Sequence, residues 1–158
     1  MPGRRRKIQR QVRFDLVIVF LVYCLDQLMK FWITGTFQQG SSIPVLNNIL
    51  HITLVRNTGA AFGIFSSYPH LFVVAAVIAA GFVLFFLVWR RALLNNTEII
   101  ALCFVLGGTL GNLTDRLRVG YVIDFIDFRV WPVFNVADSF ITIGALMLAW
   151  GMLVRSRR

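Results

Sequence analysis

The chain has 158 residues, 58% of them apolar, and a formal net charge of +9. Soluble domains are about 45–50% apolar, so this is the composition of a membrane protein. A basic chain can bind nucleic acid when its charge forms one face, but eleven of the sixteen basic residues here fall at positions 4–13, 90–91 and 155–158, flanking apolar runs; no nucleic-acid partner is expected.

The first apolar run, residues 14–33, follows the basic amino terminus. Asp26, Gln27 and Lys30 interrupt it and no small-residue cleavage site follows, which predicts a retained helix rather than a removed leader. Residues 34–70 are of another kind: Asn47-Asn48 reads as a turn, and the HITLVR stretch at 51–56 is rich in β-branched residues, so a small β element is expected there. The NTGAAFGIF stretch at 57–65 mixes small and aromatic residues suited to a membrane interface.

Residues 71–89 form an uninterrupted apolar run, and 99–116 and 134–154 form two weaker ones; a helical span needs roughly 20 residues. The expected architecture is an all-α membrane protein: one domain, 1–158, with four transmembrane helices and a small extracytoplasmic β element between helices 1 and 2. Four spans put both termini on one side, and the basic clusters make that side cytoplasmic. Segments 34–70 and 117–133 then face outward.

Cys24 and Cys103 lie in apolar runs and read as packing. His51 and His70 are isolated, and with no Cys/His spacing the sequence calls for neither a metal nor another cofactor.

Ionisable groups inside a bilayer are costly and by default mark functional sites. Helix rise places Asp26 roughly 18 Å and Lys30 roughly 24 Å along the first span, and Asn112 roughly 20 Å and Asp115 roughly 24 Å along the third. The fourth span runs back inward, so Asn135 and Asp138 lie near its start, and all six converge at the outer leaflet. Within spans, Asp26 and Lys30, Asn112 with Asp115 and Arg116, and Asn135 with Asp138 can share faces. Gly107, Gly108 and Gly111 form a strip for close helix packing.

A buried structural network accounts for the pairs Asp26 with Lys30, and Asp115 with Arg116 or a neighbouring helix. Asp124 and Asp138 have no evident cation nearby. Two close carboxylates cannot easily both ionise, which suits an acid and base pair; ion binding or a structural use remains open on spacing alone.

Five blocks occur in order along the chain: DQLMK at 26–30, NTGAAF at 57–62, GGTLGNLTDR at 107–116, VIDFI at 122–126 and FNVADS at 134–139. Together they resemble the bacterial lipoprotein signal peptidases, or signal peptidase II. The resemblance implies an inner-membrane aspartyl endopeptidase that removes signal peptides from prolipoproteins, cutting before a diacylglyceryl-modified cysteine. It implies Asp124 and Asp138 as the catalytic pair, and Asn57, Asn112, Arg116 and Asn135, with Asp26, Lys30 and Asp115, as substrate-binding and supporting residues. It also implies a β cradle at residues 34–70. The partners expected are such prolipoproteins and membrane lipids, with a monomer sufficient and the site near the periplasmic face. Asp127, three residues after Asp124, competes for the catalytic position; the motif favours Asp124 and leaves Asp127 as a solvated loop residue.

Two other readings compete. A small ion or proton transporter needs polar residues at several depths, and the cytoplasmic halves of these spans are nearly bare of them. A structural or lipid-binding subunit predicts that carboxylate changes damage stability alone.

Overall fold

The computed structural model describes residues 2–59 and 69–156. The helices are α1 (Pro2–Thr36), α2 (Pro69–Trp89), α3 (Asn96–Val119) and α4 (Val136–Ser156), and the strands are β1 (Ser42–Leu46), β2 (Leu50–Asn57) and β3 (Val122–Asp127). Each helix contains a stretch long and apolar enough to cross a membrane: Arg13–Thr36, His70–Trp89, Asn96–Val119 and Val136–Arg155. The expected spans are all present. The first helix also continues back through the basic amino terminus, and the fourth begins two residues later than expected because Asn135 lies just before the first helical residue.

The packing is inverted relative to a soluble protein. Phe20, Ile78 and Leu146 are more than 60% exposed, whereas Asp26, Lys30, Asp124 and Asn135 are at most 2% exposed. Lipid is as apolar as these side chains, so burying them gains little; the association rests on close packing and on polar groups joined across helices.

Helix α3 packs against the other three. Its start is fixed by a capping box, in which the Asn95 side chain accepts the Glu98 N–H at 2.9 Å and Glu98 Oε2 accepts the Asn95 N–H at 2.8 Å. Its end is fixed by Gly120 at φ +83°, a left-handed cap that costs glycine little. Between them runs the glycine strip. A Cβ on Gly107 would lie 2.8 Å from Val22 Cβ of α1, and one on Gly108 would lie 2.5 Å from the Ala137 carbonyl oxygen of α4. Only the absence of side chains lets both neighbours approach α3 so closely.

The β element between α1 and α2 is a hairpin, β1–β2, turning at Asn47-Asn48 with Asn48 at φ +61°. It acquires a third strand from beyond α3, in the antiparallel order β1-β2-β3, with Val55 opposite Asp124 and Asn57 opposite Val122. Alternation then divides the sheet. Asn57, Val122 and Asp124 share one face, Arg56 and Ile123 the other. Ile33 of α1, Leu54 of β2 and Phe125 of β3 form a small core that seats the sheet on the helices.

Candidate active site

The polar groups expected to converge do so at the sheet end of the bundle. Lys30 is the hub of the α1–α3 contact: its Nζ lies 2.8 Å from Asp26 Oδ2, 2.7 Å from Asp115 Oδ2 and 2.9 Å from Asn112 Oδ1. Three acceptors match the three N–H bonds of an ammonium, so this buried charge is fully satisfied. Gln27 reinforces it by donating to Asp26 Oδ2 and Asp115 Oδ1, both at 3.1 Å. Asp115 therefore pairs with α1, the neighbouring helix, and its Oδ2 also accepts the Ile123 N–H of β3 at 3.2 Å.

Two carboxylates fix the start of α4. Asp26 Oδ1 accepts the Ala137 N–H at 2.9 Å, meeting one of the donors that every helix start leaves unpaired. Asn135 Oδ1 accepts the Asp138 N–H at 2.9 Å, while Asp138 Oδ2 lies 3.3 Å from the Asn135 N–H. This reciprocal arrangement is a capping box with aspartate in the third helical position. The sequence reading missed it, although the spacing from Asn135 to Asp138 carries the signal.

Asp124 and Asp138 are both held by neutral amides. Asp124 Oδ1 accepts from Asn135 Nδ2 at 2.7 Å and its Oδ2 from Asn57 Nδ2 at 2.9 Å. Asp138 Oδ1 accepts from Asn112 Nδ2 at 2.7 Å. Asn135 Nδ2 also lies 3.0 Å from Asn112 Oδ1, so the two amides link the two carboxylates. Among the described residues neither aspartate forms an ion pair. Burial, and then the charge of Asp138, push the Asp124 carboxyl up to about 7, against the hydrogen bonds from Asn57 and Asn135 and the charge of Lys30.

Both aspartates line a cavity of about 210 Å³ with Asn57, Asn112 and Arg116. Trp131 and Phe134, from the β3–α4 connection, form part of its wall; Phe134 opens the FNVADS block without a role assigned to it, and nothing in the sequence had marked Trp131. The Arg116 guanidinium carbon lies over the Phe72 ring of α2, 5.2 Å from its centroid, and among the described residues Arg116 forms no ion pair. All nine expected site residues thus belong to one connected region. Of the NTGAAF block, residues 60–62 lie outside the described residues, as does most of the expected interface stretch at 57–65.

Asp127 differs from its expectation as a solvated loop residue. It is the last residue of β3, 6% exposed, accepting from Thr53 Oγ1 at 2.8 Å and from the Arg129 N–H at 2.8 Å. Burial opposes its charge, but these bonds and the Arg129 side chain outweigh it and hold the carboxyl below the usual range. It contributes no side chain to the cavity that Asp124 and Asp138 line.

Four apolar helices around a buried carboxylate and amide cluster, under a three-stranded sheet, define a multi-pass membrane protein with an enzyme-like site. Two solved bacterial membrane enzymes share the fold. One is 33% identical with a TM-score of 0.85, covering 92% of this chain and 90% of its own. The other is 34% identical with a TM-score of 0.81, covering 90% and 94%. The family model described as signal peptidase (SPase) II matches residues 18–154. The lipoprotein signal peptidase of Moorella thermoacetica is 44% identical over 88% of this chain and 92% of its own, and that of Halothermothrix orenii is 41% identical over 84% and 90%. The chain belongs to the signal peptidase II family and is a peptidase. These relatives give no support to a transporter.

Proposed function

We propose that this chain is an aspartyl endopeptidase that removes signal peptides from prolipoproteins, cutting before the diacylglyceryl-modified cysteine. The observation that carries the catalytic type is the pair Asp124 and Asp138, joined through Asn135 and Asn112 on one cavity, neither carboxylate neutralised by an ion pair among the described residues.

Near neutral pH the pair shares one proton. One carboxylate removes a proton from the water that attacks the scissile carbonyl, and the protonated partner donates to the developing oxyanion and then to the leaving amine. Asn57, Asn112 and Asn135 hold the two carboxylates in position, and Arg116 directs its donors at substrate carbonyls in a site that excludes most water. Asp26, Lys30 and Asp115 brace α1, α3 and β3 behind them.

The substrate's signal segment is an apolar helix and reaches the site from within the bilayer. We assign the sheet end of the bundle to the periplasmic face of the bacterial cytoplasmic membrane, with both termini in the cytoplasm, because the basic clusters lie at the opposite end. The chain acts as a single membrane-embedded unit, 1–158, and as a monomer. Incubating purified protein with a prolipoprotein in lipidated and unlipidated forms tests the reading. Release of the signal peptide from the lipidated form alone is expected; equal cleavage of both, or of neither, rejects it.

A further inference from the structure

A second cavity, of about 500 Å³, lies on the sheet face opposite Asp124, between the ends of α1 and α3. Its polar wall includes Lys30, Asp115, Arg56, Arg118 and Tyr121, and Phe31 and Val119 form part of its apolar wall. Lys30 has no donor to spare, since Asp26, Asp115 and Asn112 take all three. The two arginines are different.

The chain has only seven acidic residues; Asp115 also lines this cavity, with both its oxygens taken by Lys30, Gln27 and the Ile123 N–H, and the other six are engaged elsewhere. Asp15 pairs with Arg91, Asp26 and Asp115 with Lys30, and Asp127 with Arg129. Asp124 and Asp138 take amide donors, and Glu98 closes the α3 cap. No acidic side chain remains for Arg56 or Arg118. The Arg56 guanidinium carbon lies over the Tyr121 ring, 5.1 Å from its centroid, and among the described residues Arg56 forms no ion pair.

The setting narrows the anion. Both flanking helices end here, α1 at Thr36 and α3 at Val119, so the arginines stand where a membrane-crossing stretch meets the headgroups. Phe31 is 79% and Val119 46% exposed, and Leu28 and Leu21, at helical spacing from Phe31 along α1, are 65% and 60% exposed. We propose that this cavity binds the phosphate of an anionic phospholipid between Arg56 and Arg118, its acyl chains lying against Phe31 and Val119. The site is separate from the cavity of Asp124 and Asp138, and binding there does not require the chain to be a peptidase.

The test is native mass spectrometry of the detergent-purified chain titrated with phosphatidylglycerol, with phosphatidylcholine, or with inorganic phosphate. The intact chain is expected to retain phosphatidylglycerol in preference to phosphatidylcholine and to hold no inorganic phosphate. Arg56→Gln and Arg118→Gln should each weaken phosphatidylglycerol about fivefold, the effect of one surface cation near an anionic lipid, and leave phosphatidylcholine unchanged. Arg118→Lys, which keeps the charge at an exposed position, should retain the preference and serves if a glutamine variant fails to fold. Equal loss of both lipids, no loss of either, or saturation by inorganic phosphate would overturn the proposal.

Discussion

Asp26, ten residues before the end of the first helix, accepts the backbone N–H of Ala137 at the start of the fourth, 2.9 Å away, while its other oxygen holds Lys30 at 2.8 Å. One carboxylate thus anchors the helix start that carries Asp138 and neutralises a buried cation. Asp26→Asn keeps the shape but removes the charge, leaving Lys30 with Asp115 as its sole anion. A loss on the order of 3 kcal/mol is expected, read as earlier thermal unfolding in detergent. Cleavage assayed well below that transition should fall less than the stability loss suggests, since the change leaves Asp124 and Asp138 in place; complete inactivity of a fully folded variant would put Asp26 in the chemistry itself.

The glycine strip predicts a loss of another origin. A Cβ on Gly108 would meet the Ala137 carbonyl at 2.5 Å and Ile141 Cγ1 at 2.8 Å, so α4 must retreat to accept it. Gly108→Ala should destabilise by about 1–3 kcal/mol, the usual range for overpacking, and should lower cleavage as well because Ala137 adjoins Asp138. Gly81→Ala has nothing within 4 Å of the added atom and serves as the control. Equal stability of the two variants would contradict the close α3–α4 approach.

Orientation follows from charge. A single cysteine at Ser41, beside β1, in a Cys24- and Cys103-free background should react with an impermeant maleimide added to intact spheroplasts. Labelling only after the membrane is opened would reverse the topology and remove the active site from the periplasmic face.

The helices were legible in the sequence because apolar runs of membrane length have few other solutions, and the depth of Asp26, Lys30, Asn112 and Asp115 followed from helix rise alone. The hairpin was legible from Asn47-Asn48. The third strand was not: VIDFI is too short to assign by periodicity, and its pairing with β2 joins segments more than sixty residues apart. The same long-range pairing explains Asp127, whose partner Thr53 lies on β2. Spacing could place Asp124 and Asp138 at one depth, but not show that Asn135 and Asn112 connect them, since that depends on how β3 sits over α3 and α4.

The dyad assignment rests on which carboxylates share the cavity. Asp124→Asn and Asp138→Asn each remove a titratable group with little change of shape, and each should lower cleavage at least about 100-fold, the low end for loss of general acid or base. Asp127→Asn should keep most activity and instead loosen the sheet, because Thr53 and Arg129 lose their shared acceptor. An inactive Asp127 variant beside an active Asp124 variant would reverse the assignment. Retained activity in all three would end the aspartyl mechanism.

The raised carboxyl of Asp124 has a signature in stability that is independent of turnover. Folded, the group titrates at about 7; unfolded, an aspartate titrates at about 3.9. Between those values the folded chain binds more protons than the unfolded one, so stability falls as pH rises. The contribution of Asp124 is fully present below about pH 4 and lost through about pH 7, and a three-unit difference sets its ceiling at about 4 kcal/mol. Asp124→Asn stays neutral throughout. It loses one of the bonds from Asn57 or Asn135, because an amide offers a single oxygen, and it removes the charge that Asp138 faces, so the difference between the two proteins reports the proton uptake of the coupled pair. Thermal unfolding of the two proteins in detergent should therefore show the variant gaining on the parent as pH rises from 4 to 8. A gap that stays constant over this range would mean that the pair takes up no extra proton on folding, and would remove the shared proton from the mechanism.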